Sequence, residues 1–413
     1  MSVAEALGVS SYRELLSAGE ARRVISWGLL ARMPMGMSAL ALVLLVRSEG
    51  GSYATAGIVS GAYAVASGAG SVVGGRLVDR RPPAPVVITY ALGYGVALAA
   101  LLALAHARVA EPVLVAATLV AGLLAPPVGP TIRMMWPAML PRPELRTTAY
   151  ALEATIQEVI FVAGPLIVAV LAASISASAG IVAAGVACVA GSIGFTMTPA
   201  VRARRPDPGH DRSGQHVLEA LVPWGIRRLL MLGIAYGVAF GAAEVSMPAF
   251  AEGHGGRSLG GIALAAFSGG SLIGGVVAGA AASAGPLNRR LQVISAAFVL
   301  VLIPPLLAGS ITEMAVVMFI AGLPIAPSVA VAYNMLERAA VTGTQAEVFG
   351  WMSTAVTIGI AIGTAAGGSL IAHSGVHAAL ALGICGAAAA CAISFTNPGD
   401  SPRPRTVPDS GVS

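Results

Sequence analysis

The chain has 413 residues, of which 56% are hydrophobic and only 10% charged, with a mean hydropathy of +0.82 and a net charge of +5. Soluble domains carry about 25% charged residues, so this composition excludes a water-facing surface of ordinary polarity. Lipid must be the solvent for most of the chain.

Residues 1–23 read as a short amphipathic lead-in, with Leu7, Tyr12, Leu15 and Leu16 set among charges. They lack the apolar core and small-residue cleavage site of a signal peptide. Apolar stretches long enough to cross a hydrocarbon core, roughly 17–25 residues, follow at 24–46, 54–75, 86–105, 112–135, 149–172 and 178–197. Residues 198–228, rich in proline, glycine and mixed charge, predict a solvated linker. Six more stretches occupy 229–250, 259–283, 291–309, 312–335, 348–372 and 376–396, before a polar tail, 397–413, expected to be disordered. The segments are continuously apolar rather than alternating, which argues against a membrane β-barrel. The expected fold is an all-α membrane protein: twelve transmembrane helices in two pseudo-symmetric six-helix bundles, 24–197 and 229–396.

Every basic residue is arginine, and all but Arg47, Arg108 and Arg257 among those in the loops fall on the side that carries both termini. The positive-inside bias makes that side cytoplasmic. The net charge is thereby a matter of topology and anionic lipid, and no nucleic-acid partner is implied. Cys188, Cys385 and Cys391 lie within spans and form neither a disulfide framework nor a metal spacing.

A shift of 200 residues aligns GSVVGG at 70–75 with GSLIGG at 270–275, and AGLLAPP at 121–127 with AGLPIAP at 321–327. One shift serving two spans of each half marks an internal duplication. It also explains APPVGPTIRMMWP at 125–137, whose prolines would otherwise suggest a loop. A counterpart, APSVAVAYNMLE, stands at 326–337, so both are parts of spanning helices, with Pro127 and Pro327 bending them alike.

With two sets of six helices, a central loop and a duplicated half, the sequence resembles the major facilitator superfamily of secondary transporters. The loop after the second helix carries GGRLVDRR at 74–81, in which Gly75, Leu77, Asp79 and Arg80 match that family's motif. Pro82, Pro83 and Ala84 depart from it, and the second-half counterpart near Gly279 has no acid–base pair. The resemblance implies that Gly75, Asp79 and Arg80 form a latch onto the eleventh helix that holds an outward-open state. Ordinary loop charges are the plain alternative. On the fifth helix, Gly164-Pro165 resembles the family's antiporter motif, although Ile167, Val168 and Ala169 stand where further glycines are usual. That tilts the expectation toward export; a mere helix bend is the other reading. Gly359, Gly363 and Gly367 form a face for close helix approach.

Five ionisable residues fall inside spans: Arg32, Arg133, Glu153, Glu158 and Glu244. Such groups mark function by default. At a rise of ~1.5 Å per residue, Arg32 shares a level with Glu158, and Arg133 with Glu153. Glu158, near the midplane, is the first candidate for a coupling proton, with Glu153 and Glu244 behind it. Static pairs that fix packing are the alternative for both couples. Glu244 has no basic partner in its segment and either reaches the outer surface or binds proton or cargo. Under the 200-residue shift, Arg133, Glu153 and Glu158 fall on Tyr333, Ser353 and Ile358, so only the first half carries these charges.

Polar candidates for a cargo cavity are sparse: Gln157, Tyr63, Tyr236, Tyr333 and Asn334, with Met33 and Met37 among adaptable apolar residues. They suit an amphipathic or apolar small molecule better than a sugar. No P-loop lysine follows the glycine strings, and the histidines do not cluster with acids, so no enzyme activity, metal or cofactor is expected. The partners expected are a small-molecule substrate, protons and lipids, around a monomer in a bacterial inner membrane with both termini cytoplasmic. The function expected is proton-coupled export. An importer of a small nutrient, or a membrane sensor or lipid-moving relative on the same fold, stands as the alternative.

Overall fold

The computed structural model describes residues 9–205, 221, 223–254, 260–280, 285–341 and 343–396. The tail at 397–413, most of the linker and residues 1–8 lie outside the described residues. Among the described residues twelve helices are long and apolar enough to cross a bilayer. Spans 1–6 are Gly19–Ser48, Thr55–Arg80, Pro83–His106, Glu111–Met139, Pro143–Ser174 and Ala177–Thr196. Spans 7–12 are Trp224–Gly253, Gly261–Ala280, Leu287–Leu307, Ile311–Ala339, Gln345–Ser374 and Val376–Phe395. A lead-in helix, Val9–Ser17, precedes them. The face that carries it, together with the end of span 12, is the terminal face.

Between lipid-solvated helices the hydrophobic effect supplies no attraction, so close packing depends on small residues. The duplicated glycines show this twice over. A Cβ on Gly74 would strike Pro127 of span 4, and one on Gly274 would strike the Leu323 carbonyl of span 10. These are equivalent contacts within each half. A Cβ on Gly75 would strike the Ala346 carbonyl of span 11, and one on Gly275 the Thr155 hydroxyl of span 5. These are equivalent contacts between halves. The glycine face of span 11 packs within its own half: Gly359 and Gly363 lie against the backbone of span 7 at Ile234 and Val238.

Spans 4 and 10 both break near their middles. Span 4 divides into Glu111–Leu123 and Val128–Met139, with Pro127 capping the second piece. Span 10 divides into Ile311–Gly322 and Ile325–Ala339, capped by Pro324. Both helices are interrupted, but the prolines at the two breaks are not equivalent: Pro327 sits just inside the first turn of its piece, where a missing N–H costs nothing. Span 1 also breaks, between Arg32 and Pro34, which the sequence reading did not anticipate.

One hydrophobic core, holding Trp136, Tyr150, Tyr333 and Phe349, spans both halves. Two others do not: one centred on Met37, Tyr63 and Tyr94 belongs to the first half, and one on Met247, Phe267 and Phe298 to the second. Polar bonds join the halves toward the terminal face. Arg146 donates to Glu337 at 2.5 Å, Thr147 to Asn334 Oδ1 at 3.2 Å and Thr354 to the Gly68 carbonyl at 2.7 Å. The two bundles are therefore closed together at the terminal face, while their opposite ends keep separate cores.

Candidate functional site

The first charge of the site stands where span 1 breaks. Pro34 has no N–H to donate and its ring crowds the preceding turn, so the helix stops at Arg32. The Nε of Arg32 donates back one turn to the Gly28 carbonyl at 3.0 Å, which aims the guanidinium toward the terminal face. Its two terminal nitrogens then grip both oxygens of Glu153 at 2.7 and 3.2 Å, a bidentate pair between spans 1 and 5. Arg133 Nε, from span 4, lies 3.9 Å from the same carboxylate. Glu153 is fully buried and both arginines nearly so.

This corrects one pairing expected from depth along the helices. Arg32 meets Glu153 rather than Glu158, because a helical side chain leans toward its own N-terminus and this one is tied there by Gly28. The Arg133–Glu153 couple is present at long range. Arg133 Cζ also lies 4.2 Å from the ring centroid of Tyr333 in span 10, a cation–π contact between halves. Tyr333, Tyr150 and Phe349 stand with ring centroids 5.8 to 6.2 Å apart. Asn334, beside them, accepts from Thr147 and donates to the Ala330 carbonyl at 2.8 Å, so it belongs to the closed contact between halves.

Glu158 has different surroundings. It is 8% exposed and Ser271 of span 8 stands beside it. No basic side chain pairs with Glu158 among the described residues, and its Oε2 is buried without a hydrogen-bond partner there. The two acids of span 5 thus divide into one held by two arginines and one facing the other half with a serine as its neighbour. Gln157 and Glu244 are partly buried on spans 5 and 7.

The remaining cargo candidates disperse. Met37 is 2% exposed in the first-half core, where the Tyr63 hydroxyl lies 3.0 Å from that of Tyr94. Tyr236 bonds to Ser295 at 2.7 Å in the second half. Met33, in the break of span 1, packs against two of the three cores. Gly164 lies directly on the backbone of Gly36, bringing spans 1 and 5 close, while the helix continues through Pro165.

At the terminal end of span 2, Asp79 reaches the other half. Its two carboxylate oxygens accept from the backbone N–H groups of Ala346 and Glu347 at 3.0 and 2.8 Å. These are orphan donors of the first turn of span 11, where the helix dipole also favours an anion. Gly75 permits the approach, since a Cβ there would meet the Ala346 carbonyl. Arg80 is exposed in the last turn of span 2.

A family model described as the Major Facilitator Superfamily matches residues 25–284 and 229–412. The chain belongs to the major facilitator superfamily. No curated protein matches it in sequence. Among solved structures it is similar to a bacterial homologue of the iron transporter ferroportin in an outward-facing state, at 12% identity and a TM-score of 0.73, covering 91% of this chain and 98% of that one. It is also similar to the superfamily transporter FucP in the outward conformation, at 12% identity and a TM-score of 0.67, covering 91% and 98%. A third likeness is to the human organic anion transporter MFSD10, at 14% identity and a TM-score of 0.62, covering 90% and 99%. At these identities the likeness is one of fold.

As a superfamily member the chain is a multi-pass membrane protein with the fold of a secondary transporter. Its closed terminal face includes residues to which the sequence reading gave no site role. Tyr12 of the lead-in helix donates to the Gly275 carbonyl of span 8 at 3.2 Å, and burial pushes its hydroxyl pKa up to about 12. Arg228, 1% exposed, bonds to Asn288 and to the carbonyls of Ile393 and Ser394, tying the starts of spans 7 and 9 to the end of span 12. Arginines near span ends read in the sequence as topology signals, which hid this one.

Proposed function

We propose that this protein is a proton-coupled exporter of a small amphipathic or apolar molecule, working by alternating access with Glu158 as the proton-carrying group. The observation that carries the reading is the contrast on span 5 between Glu153, held by Arg32 and Arg133, and Glu158, buried with a free oxygen against span 8. A carboxylate in an apolar site needs a proton or a cation to compensate it. Glu158 lies at a seam between the halves, so motion of one half against the other changes which side supplies that proton. Glu153 with its arginines is a fixed brace for the same helix.

The terminal face is the cytoplasmic one in this reading, after its arginine majority, and the closed face described above is the outward-facing state. Export rests on Gly164-Pro165 and its close approach to Gly36. The cargo class rests on the methionine and tyrosine candidates. Iron and organic anions appear in the names of two structural relatives, and cargoes so unlike each other give no reason to carry either over.

The test is reconstitution in liposomes under an imposed pH gradient, with dye-like and natural-product cargos. Glu158→Gln is expected to abolish gradient-driven movement while leaving exchange down a cargo gradient partly intact. Coupling at the wild-type level in that variant refutes Glu158 as the proton site, and cargo moving in the same direction as the proton refutes export by exchange.

A further inference from the structure

The two seams between the halves are related by the duplication, but they are not latched alike. On the first seam, Gly75 allows span 2 to touch span 11, and Asp79, one turn on, caps the start of span 11. The equivalent residues of span 8 are Gly275 and Gly279. Gly275 makes its equivalent contact, with span 5, but Gly279 has no side chain to reach across. Its place is filled from outside the duplication: a Cβ on Gly279 would collide with the Tyr12 hydroxyl. Tyr12 donates to the Gly275 carbonyl at 3.2 Å, and Thr148 of span 5 donates to the Gly279 carbonyl at 3.0 Å.

Tyr12 is anchored in the first half. The lead-in helix, Val9–Ser17, runs directly into span 1, which starts at Gly19, and Glu14 pairs with Arg142 at the start of span 5. It therefore grips the second half from the first, as Asp79 does. The seam it covers leads to Glu158. Ser271, Gly275 and Gly279 follow one another at four-residue spacing on span 8 and meet Glu158, Thr155 and Ala151 of span 5 in turn. At ~1.5 Å per residue, the Gly279 level lies about 12 Å from Ser271. Thr155 turns its hydroxyl onto its own backbone, at the Ala151 carbonyl. Two ion pairs stand at the terminal end of span 5, Glu14 with Arg142 and Arg146 with Glu337, with Arg13 and Glu144 also at that end.

We propose that Tyr12 is the second latch of the closed terminal face and the plug of the span 5–span 8 seam, through which that face reaches Glu158 once the halves part. The latch stands on the geometry alone; the plug rests also on Glu158 being the proton site. With Tyr12 in place the seam is sealed, so Glu158 exchanges protons only with the opposite face. When the terminal face opens, the first half carries Tyr12 away from Gly275, and the glycines leave a gap wide enough for water to follow.

The test uses the full-length chain in liposomes with an internal pH dye, an acid pulse and no cargo. Tyr12→Ala is expected to raise passive proton entry about tenfold or more, since it removes both the ring that fills the space at Gly279 and the bond to Gly275, itself a factor of about five. Adding Glu158→Gln to that variant is expected to return the leak to background. Tyr12→Phe keeps the ring and loses only the bond to Gly275, so it should leak clearly less than Tyr12→Ala, which separates loss of the plug from loss of the latch bond. A Tyr12→Ala chain as tight as the wild type overturns the proposal. So does a leak that survives Glu158→Gln, or one that is equal in Tyr12→Phe. Failure of Glu158 as the proton site is seen separately, as gradient-driven transport in the single Glu158→Gln variant.

Discussion

Asp79→Asn tests the first latch at nearly constant shape. Asp79 gives one carboxylate oxygen to each of two backbone N–H groups at the start of span 11, at 3.0 and 2.8 Å. Asparagine keeps one acceptor but turns an NH₂ group toward the other donor and removes the charge. Hydrogen bonds to charged groups contribute about 1.5–3 kcal/mol, and an anion at a helix N-terminus about 0.3–1 kcal/mol more. Discounting for water reaching the vacated N–H leaves a loss of about 2 kcal/mol, or ~30-fold in the balance between closed and open terminal faces. A hundred-to-one preference would become about three to one, within reach of direct measurement. Label pairs at Arg81→Cys and Arg338→Cys, exposed ends of spans 2 and 10 in opposite halves, report the separation by pulsed spin resonance. Cys188, Cys385 and Cys391 are first replaced. A new population at longer distance is expected. The same distribution in Asp79→Asn and wild type refutes the latch.

Two further predictions concern stability. Glu153→Gln leaves Arg32 and Arg133 buried without their counter-charge and should cost about 3–5 kcal/mol, read as a lower unfolding temperature in detergent, whereas Glu158→Gln should leave that temperature unchanged or higher. Equal effects of the two substitutions would refute the division of the acids into brace and proton site. Gly164→Ala places a Cβ inside contact distance of the Gly36 backbone and should cost about 1–3 kcal/mol by overpacking, while alanine at Gly57, which has open space around it, should be tolerated.

How much of this was legible in the sequence depends on whether a feature acts along one helix or between two. The spans were legible, because hydropathy is summed over each segment alone. The duplicated glycines were too: their partners are backbone atoms of neighbouring helices, and glycine is the residue that such closeness demands. Arg32 was misread for a definite reason. A depth counted along a straight helix places the Cα, while the proline break and the bond to Gly28 decide where a guanidinium several ångströms away ends up. Arg133 and Glu153 were matched correctly, since both lie low on their helices and a small rotation does not part them.

Tyr12 is the harder case. Its partner is a carbonyl 263 residues away, so no complementary side chain advertises it, and an aromatic residue in an amphipathic lead-in has an ordinary reading at a membrane surface. The only trace was negative: an acid present at Asp79 and missing at Gly279. That absence reads as decay of an old repeat when the second half is considered alone. Once the halves are packed, a bare glycine opposite Thr148 and Ala151 is the space that the Tyr12 ring fills, on a seam that runs toward Glu158. On the proposal above, the loss of the acid and the presence of the lead-in helix are one feature, a latch supplied from outside the repeat.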